Sequence, residues 1–252
     1  MKQNKYDDSE FFQKYSQMPR STGGLQAAGE WTSFRALLPD LSGKRVLDLG
    51  CGYGWHCRYA REQQAQSVTG IDLSEKMLER AREMTNDSNI TYRRLAIEDI
   101  DFAEEEFDVV ISSLAIHYIE SFDVICRQIH HCLASGGSFI FSVEHPIFTA
   151  VAAQDWYYGP SGEKLHWPVD DYHQEGPRQA RFLDDDVTKY HRSVATYMNV
   201  LIESGFIIQK LSELQPTPEM LNNNPAWQEE VRRPMFLLVA AVKGNGSGDQ
   251  TA

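Results

Sequence analysis

The chain has 252 residues, of which 42% are hydrophobic and 24% are charged. These proportions are ordinary for a folded globular protein, and they exclude a disordered, collagen-like or coiled-coil chain. Because 36 acidic residues outnumber 24 basic ones, the formal net charge is −12, which argues against nucleic acid as a partner.

Short apolar runs alternate with helical segments along the chain, as in a parallel sheet flanked by helices. Residues 1–40 are polar and aromatic, and they predict a helical lead-in that packs over the carboxyl edge of the sheet. The apolar runs predict seven strands, namely Arg45–Leu49, Ser67–Ile71, Ile90–Leu95, Phe107–Ser112, Ser138–Val143, Phe206–Leu211 and Phe236–Val242.

Three helices between these strands are predicted from apolar residues at helical spacing. Ser74 begins one helix, which turns Met77, Leu78, Ala81 and Met84 inward. Ser121 caps another, which contains Phe122, Ile125, Cys126, Ile129, Cys132 and Leu133 and is stopped by Ser135–Gly137. A third runs from about Val187 to Ser204, with Asp184–Asp186 at its entrance, Gly205 as its stop, and an inward stripe of Tyr190, Val194, Tyr197, Met198 and Leu201.

Residues 144–186 have no regular periodicity but are rich in aromatic side chains. A loop of this length inside a compact domain is usually functional or disordered, and its aromatic content argues against disorder. We therefore expect one domain over residues 1–243, in which 144–186 form a lid over a substrate, followed by a flexible tail at 244–252.

The amino-terminus is charged and lacks the apolar core of a secretory signal, which favours a cytoplasmic location. The longest apolar run, Phe236–Val242, is far shorter than the roughly 20 residues that span a bilayer, so no membrane partner is expected. The four cysteines form no CxxC pair and no metal-binding pattern, which predicts buried, reduced thiols and no metal.

The segment VLDLGCGYG, residues 46–54, joins the first strand to a glycine-rich turn before a helix that Trp55 opens. A dinucleotide fingerprint needs glycine where Trp55 stands, because bulk there obstructs the pyrophosphate. Asp48 just before the turn is instead suited to a ligand with positive charge, such as a sulfonium and an ammonium group. Asp72 follows the second strand, where a carboxylate can accept hydrogen bonds from both ribose hydroxyls.

Together with GIDLSEKML, FDVVISSLAIHYI and LASGGSFIFSV, this segment resembles the class I S-adenosylmethionine-dependent methyltransferases. The resemblance covers residues 44–143 well and the last two strands more loosely. It implies a Rossmann-like, doubly wound α/β fold, with a seven-stranded, mostly parallel sheet whose last strand is antiparallel and with helices on both faces. It also implies S-adenosylmethionine as the cofactor.

The resemblance assigns the cofactor residues by position. It places Gly50, Cys51 and Gly52 against the methionine and ribose portion, Asp72 on the ribose, and Asp48 on the ammonium group, directly or through water. A structural role, in which Asp48 holds the amides of the turn, is the alternative. Leu73 and Met77 are assigned to the adenine side, although Met77 at this spacing also suits a core position.

Other contacts are expected from the third and fourth strands and from the lead-in. Ala96 stands where the family commonly has an aspartate for the adenine amino group, so Ala96, Ile97 and Glu98 are expected to replace that contact. Ser113 and Leu114 are assigned to the methionine portion, with His117 nearby or simply structural. Arg20 is expected to pair with the cofactor carboxylate, and an exposed arginine in a flexible arm is the alternative.

On the acceptor side, strand five ends in Glu144 and His145, at the sheet edge where α/β proteins bind ligands. We expect Glu144, Trp156, Tyr157, Trp167 and Tyr190 to contact the acceptor. His145 and His191 are candidate general bases, because imidazole titrates near neutral pH. All of these side chains could also be structural.

The predicted function is methyl transfer to N or O of a small molecule, mainly by alignment and exclusion of water. A non-catalytic cofactor-binding or regulatory module, and a methyltransferase acting on peptides or proteins, are the alternatives. A nicotinamide-dependent oxidoreductase is opposed by Asp48 and Trp55. The acceptor and the oligomeric state do not follow from the sequence.

Overall fold

The structure is a computed structural model that describes residues 2–223 and 225–244. The predicted tail lies outside the described residues, apart from Gly244. The strands are β1 (Arg45–Leu49), β2 (Ser67–Asp72), β3 (Ile90–Arg94), β4 (Phe107–Ser113), β5 (Leu133–Glu144), β6 (Tyr157–Tyr158), β7 (Lys164–His166), β8 (Gly176–Phe182), β9 (Asp185–His191), β10 (Phe206–Glu213) and β11 (Phe236–Lys243).

Seven of these strands form the central sheet, in the order β10-β11-β5-β4-β1-β2-β3. The pairs β1–β2, β2–β3, β1–β4 and β4–β5 are parallel, whereas β11 is antiparallel to both β5 and β10. The predicted doubly wound sheet with an antiparallel last strand is therefore confirmed. Its strand order reverses between β1 and β4, and the carboxyl ends at such a reversal form a crevice suited to ligands.

The sheet is covered on both faces, which explains why its strands are continuous apolar runs. The helices are α1 (Ser9–Ser16), α2 (Pro19–Thr22), α3 (Trp31–Arg35), α4 (Trp55–Glu62), α5 (Glu75–Glu83), α6 (Phe122–Cys132), α7 (Pro146–Thr149), α8 (Val194–Glu203) and α9 (Pro218–Asn223). Leu47 and Leu49 of β1 pack with residues of α6 and α8, whereas Val46 packs with residues of α3, α4 and α5. Successive side chains of β1 thus enter opposite cores.

The predicted helix over 187–204 is wrong in its first half. Asp185–His191 form β9, which pairs antiparallel with β8, and α8 begins only at Val194. Val187, Lys189 and His191 are buried between more exposed neighbours, and this period of two is that of a strand. Tyr190 therefore belongs to a strand. Asp184 lies in the turn of the β8–β9 hairpin and Asp185 and Asp186 begin β9, so none of the three starts a helix.

Smaller corrections concern α6 and the insert. The backbone of Leu133 is already extended, so α6 ends at Cys132 and residues 135–137 lie inside β5. Ser121 occupies the N-cap position of α6, but its side chain makes no capping hydrogen bond. The insert contains α7, the β6–β7 pair and β8, which its irregular sequence did not predict. Across the described residues, no helix is long and apolar enough to cross a bilayer.

Candidate active site

A cavity of about 470 Å³ lies at the carboxyl ends of β1, β2, β4 and β5, where the strand order reverses. Thirteen of the fourteen predicted cofactor residues border it, namely Arg20, Gly50, Cys51, Gly52, Asp72, Leu73, Met77, Ala96, Ile97, Glu98, Ser113, Leu114 and His117. The fourteenth, Asp48, is buried behind the glycine turn. Of the five predicted acceptor residues, only Glu144 borders the cavity.

The glycine turn follows β1 and is tied to the end of β2. Gly50 has a φ of 73°, and a Cβ there would lie 2.5 Å from the Cβ of Ala115, so only glycine fits. The amides of Gly50 and Cys51 both donate to the carbonyl of Ile71 at 2.9 Å. A Cβ on Gly52 would meet nothing within 4 Å. The turn is thus held by β2 while Gly52 leaves open space for a ligand.

Asp72, at the end of β2, is fixed by backbone amides. Its Oδ2 accepts a hydrogen bond from the amide of Gly52 and its Oδ1 one from the amide of Ser74, each at 2.9 Å. Burial nevertheless raises the pKa of Asp72 to about 6, because the amides offset the desolvation only in part. The carboxylate is oriented by neutral donors, and a ligand that donates hydrogen bonds would stabilise its ionised form.

Asp48 lies one layer deeper, in the middle of β1, and is 1% exposed. Its Oδ2 accepts a hydrogen bond from the thiol of Cys57 at 3.3 Å. Burial raises the pKa of this carboxyl to about 7. A buried carboxylate next to a thiol is stabilised by a positively charged ligand above it, as the expected ammonium group would be.

The end of β4 forms the opposite wall. Leu114 has a φ of 53°, an unfavourable conformation for leucine, and its amide is held by the carbonyl and the hydroxyl of Ser142 at 3.0 and 3.1 Å. His117 is buried, and its Nδ1 accepts a hydrogen bond from the amide of Glu144 at 3.4 Å. Burial lowers the pKa of His117 to about 4, so the imidazole is neutral.

The lead-in docks over the start of α5, beside Asp72. Asp7 Oδ1 accepts hydrogen bonds from the hydroxyl of Ser74 at 2.6 Å and the amide of Lys76 at 3.2 Å. Tyr6 and Tyr15 border the cavity, with ring centroids 5.1 Å apart in an edge-to-face contact. Sequence analysis missed Tyr6 and Asp7, because the irregular segment around them has no periodicity.

A buried ion pair lies at the end of the cavity beside the carboxyl end of β5, where the sequence predicts the acceptor. Lys189 of β9 donates to Glu144 Oε1 at 2.6 Å and to Gln154 Oε1 at 2.8 Å, and Gln154 Nε2 donates to Glu144 Oε2 at 2.7 Å. Lys189 is 2% exposed. The ammonium of Lys189 and the hydrogen bonds from Lys189 and Gln154 hold the pKa of Glu144 below its ordinary value, although burial acts in the opposite direction. Residues 185–191 carry no sequence signal for this position of Lys189, because Lys189 and His191 share the buried face with Val187 while Tyr190 lies on the other face.

The two histidines predicted as general bases do not border the cavity. His145 caps α7, since its Nδ1 accepts from the amide of Ile147 at 3.0 Å while its Nε2 donates to Glu213 at 2.9 Å. His191 is fully buried, with Nδ1 2.8 Å from the hydroxyl of Thr149 and Nε2 3.0 Å from the carbonyl of Tyr172. Both nitrogens of each ring are therefore used within the protein, and burial lowers the pKa of both histidines.

The aromatic side chains of the insert surround a cation that belongs to the chain itself. The guanidinium of Arg233 lies 3.9 Å from the ring centroid of Trp167, 4.7 Å from that of Phe148 and 5.3 Å from that of Trp156. Neither tryptophan borders the cavity, although Phe148 does. Tyr157 is 57% exposed on the β6–β7 pair, and half-buried Tyr190 also lies outside the cavity.

The residues in and behind the wall of the cavity fit S-adenosylmethionine better than a metal or a dinucleotide. Asp72 borders the cavity and can accept hydrogen bonds from hydroxyl groups, with space beside it at Gly52. Asp48, behind the turn, has a raised pKa, and a positively charged group in the cavity would favour its ionised form. Trp55 borders the cavity at the position where a dinucleotide fingerprint has glycine. Within residues 2–223 and 225–244, no group of three or more His, Cys, Asp or Glu side chains is placed to bind a metal.

Comparisons with known proteins agree with this geometry. The sequence profile of a family described as methyltransferase domain matches residues 47–141. An uncharacterized protein of Haemophilus influenzae is 35% identical over 249 residues, which span 94% of this chain and 96% of that protein.

Two solved structures extend the match to most of the chain. One is a putative S-adenosylmethionine-dependent methyltransferase of Listeria monocytogenes, with 54% identity and a TM-score of 0.83 over 87% of this chain and 99% of the other. The other is an S-adenosylmethionine-dependent methyltransferase of Mesorhizobium loti, with 46% identity and the same TM-score over 87% of this chain and all of the other. The chain therefore belongs to the class I S-adenosylmethionine-dependent methyltransferases, and S-adenosylmethionine is its cofactor.

Proposed function

We propose that this enzyme methylates an amine nitrogen or a carboxylate oxygen of a small molecule enclosed at the acceptor end of the cavity. The observation that carries this proposal is the chemistry of that end, where Glu144 is paired with Lys189 and the imidazole of His117 is a weak base. An acceptor that reacts there has to present its lone pair without the help of a strong enzymic base.

The size of the cavity favours a small acceptor. A pocket of about 300–1,000 Å³ typically holds one drug-sized ligand. Here about 470 Å³ serves both the cofactor and the acceptor. Tyr6 and Tyr15 of the lead-in, Phe148 and Gln154 of the insert, and Met235 border the same cavity. We therefore assign the lead-in and the insert, residues 144–186, as lids within one domain, which suits a small molecule better than a polymer.

The weak bases at the acceptor end favour two kinds of reacting atom. A general base works best when its pKa lies near the operating pH. Glu144 has a lowered pKa, and the pKa of His117 is about 4, so both are poor proton acceptors at neutral pH. An ionised carboxylate, and an amine whose pKa lies below the operating pH, already carry an available lone pair, whereas an alcohol or a protonated amine first has to lose a proton. Carboxylates and weakly basic amines are therefore the favoured acceptors.

The chain's own groups divide the work between binding and alignment. When bound, S-adenosylmethionine supplies a methyl group that its sulfonium already activates. Asp72, oriented by the amides of Gly52 and Ser74, accepts hydrogen bonds from the ribose, and Arg20 pairs with the cofactor carboxylate. Glu144, fixed by Lys189 and Gln154, and neutral His117 orient the acceptor, while the tyrosines of the lead-in exclude water.

The names of more distant relatives fit the two acceptor classes. N-demethylindolmycin N-methyltransferase of Streptomyces griseus is 25% identical over 203 residues, 77% of this chain. Malonyl-[acyl-carrier protein] O-methyltransferase of Erwinia pyrifoliae is 40% identical, but only over 98 residues, 36% of that protein. The first name describes transfer to nitrogen and the second transfer to oxygen, which supports both classes without choosing between them.

A panel of acceptors tests the proposal. The enzyme is incubated with S-adenosylmethionine and small secondary amines, aliphatic carboxylates, phenols, alcohols or unstructured peptides, and formation of S-adenosylhomocysteine is measured. We expect turnover with amines or carboxylates, and slower turnover with the Asp72→Ala variant at a cofactor concentration below saturation, because that variant binds the cofactor more weakly. Turnover confined to phenols and alcohols, or to peptides, would contradict the proposal.

A further inference from the structure

A carboxylate behind the cavity joins two of its walls. Glu30, 3% exposed, accepts a hydrogen bond from Arg20 Nη2 at 2.8 Å and another from the hydroxyl of Ser113 at 3.2 Å, both on Oε1. Arg20 belongs to α2 in the lead-in, and Ser113 ends β4 beside the point where the strand order reverses. One oxygen atom thus fixes a lead-in side chain relative to the central sheet.

The local structure alone does not explain this carboxylate. Glu30 precedes α3 at its N-cap position, where an acidic side chain commonly accepts bonds from helix amides, yet its side chain makes no capping bond. Burying a charged group is costly unless it is paired, and the replacement of a buried ion pair by apolar side chains often stabilises a protein. The burial of Glu30 is therefore unfavourable for stability. What it does is orient Arg20 and Ser113, both of which border the cavity.

Arg20 needs such an anchor in order to act on a ligand. A guanidinium has five N–H donors in a fixed plane, and it recognises a carboxylate best with two parallel hydrogen bonds. The bond to Glu30 uses Nη2, which leaves donors of the same plane beside the cavity. Fixing a long side chain before binding also lowers the entropy lost when the ligand arrives.

We infer that Glu30 is a positioning residue for the amino-carboxylate end of the cofactor. It holds the guanidinium of Arg20 in the orientation that pairs with the cofactor carboxylate, and it ties that guanidinium to Ser113 at the end of β4. The inference rests on the assignment of Arg20 to the cofactor carboxylate, and it is independent of the identity of the acceptor.

Binding of two ligands separates positioning from a merely structural role. S-adenosylhomocysteine carries the amino-carboxylate group, whereas 5′-methylthioadenosine has the same nucleoside and lacks that group. Isothermal titration of Glu30→Ala is expected to show roughly tenfold or greater weakening for S-adenosylhomocysteine, as for loss of a charge-assisted contact. The affinity for 5′-methylthioadenosine is expected to stay within about twofold, because the nucleoside contacts lie elsewhere. If Glu30→Ala does not fold, the same titrations are made with Glu30→Gln, which keeps the shape of the side chain and removes its charge.

Three controls make the outcome decisive. Glu203→Gln, an exposed acid at the end of α8, should leave both affinities unchanged. Arg20→Ala should reproduce the selective loss, and adding Glu30→Ala to it should cause little further loss, since the two residues act as one unit. Equal weakening of both ligands, no weakening of either, or fully additive losses would overturn the inference. None of these measurements depends on an acceptor, so they stand apart from the test of the proposed function.

Discussion

The two ends of the cavity handle buried charge in opposite ways. At the cofactor end, Asp48 and Asp72 accept hydrogen bonds from a thiol and from backbone amides, and burial raises both pKa values. At the acceptor end, Glu144 is paired with the ammonium of Lys189, and its pKa is lowered. Asp48 and Asp72 thus rely on neutral hydrogen-bond donors until a ligand arrives, whereas Glu144 already has a cationic partner.

This difference gives the two ends different roles. At the cofactor end, a ligand with a positive charge and hydroxyl groups binds favourably, because it supplies the charge and the hydrogen bonds that the buried carboxylates lack in the free protein. The acceptor end contributes a fixed shape, because its charges are satisfied before binding. Substitutions should therefore affect ligand affinity at the first end and protein stability at the second.

The largest effect is expected at the acceptor end. Lys189→Met removes the cation and leaves Glu144 buried without its partner, which should lower the free energy of unfolding by about 3–5 kcal/mol. Urea denaturation measures this loss, with exposed Lys210→Met as the matched control. The affinity of the folded variant for S-adenosylhomocysteine should change by less than about 1 kcal/mol. Equal stabilities of the two lysine variants would contradict the contrast between the ends.

At the cofactor end, Asp72→Ala should act on binding. Removal of the carboxylate leaves ribose hydroxyls without their acceptor and should weaken S-adenosylhomocysteine binding by about 1–3 kcal/mol. Isothermal titration measures the change, and exposed Asp123→Ala on α6 is the control. Unchanged affinity in a folded Asp72→Ala protein would reject the ribose assignment.

The pH dependence of ligand affinity tests the role of the cofactor end further. Because the ligand favours the ionised form of Asp72, whose pKa is about 6, protons compete with it below that pH. Affinity for S-adenosylhomocysteine should therefore fall by up to about tenfold per pH unit below 6 through Asp72, and Asp72→Asn should remove this part of the fall. The part due to Asp48, whose pKa is about 7, should remain in that variant. In the free protein the raised pKa of Asp72 means that its stability contribution is lost as the pH rises through about 6. A flat affinity profile between pH 5 and 7 would contradict this account.

The sequence predicted the two ends of the cavity unequally, for a physical reason. The cofactor end is built from the ends of neighbouring strands and the turn at residues 50–54, where local order along the chain decides which groups meet. Gly50 and Asp72 could thus be placed from their positions after the first and second strands together with the resemblance to the family. Glu144, Gln154 and Lys189 meet only through the packing of the insert and the β8–β9 hairpin, and no local signal specifies such a meeting.

Helical spacing also misled where a strand and a helix follow each other. Tyr190, Val194 and Tyr197 share a helical spacing, but Tyr190 lies in β9 and the other two in α8. Periodicity cannot detect an element boundary that falls between matching residues. The aromatic side chains of the insert were predicted to contact the acceptor, whereas in the structure Trp156 and Trp167 pack against the guanidinium of Arg233, from the segment before β11.

The smallest effect is expected from the two histidines first considered as bases. His145→Asn keeps an acceptor for the amide of Ile147, and His191→Asn keeps one for the hydroxyl of Thr149. Each variant should lose about 1 kcal/mol of stability, the usual net value of one hydrogen bond. Because neither ring borders the cavity, kcat and the acid limb of its pH profile should stay unchanged with the amine or carboxylate that the acceptor panel identifies.

His117→Asn is the contrasting variant, since His117 borders the cavity and its replacement should alter KM for the acceptor. A loss of tenfold or more in kcat for either outer histidine variant, with a displaced acid limb, would restore a histidine base. It would also remove the reason for favouring acceptors that need no deprotonation.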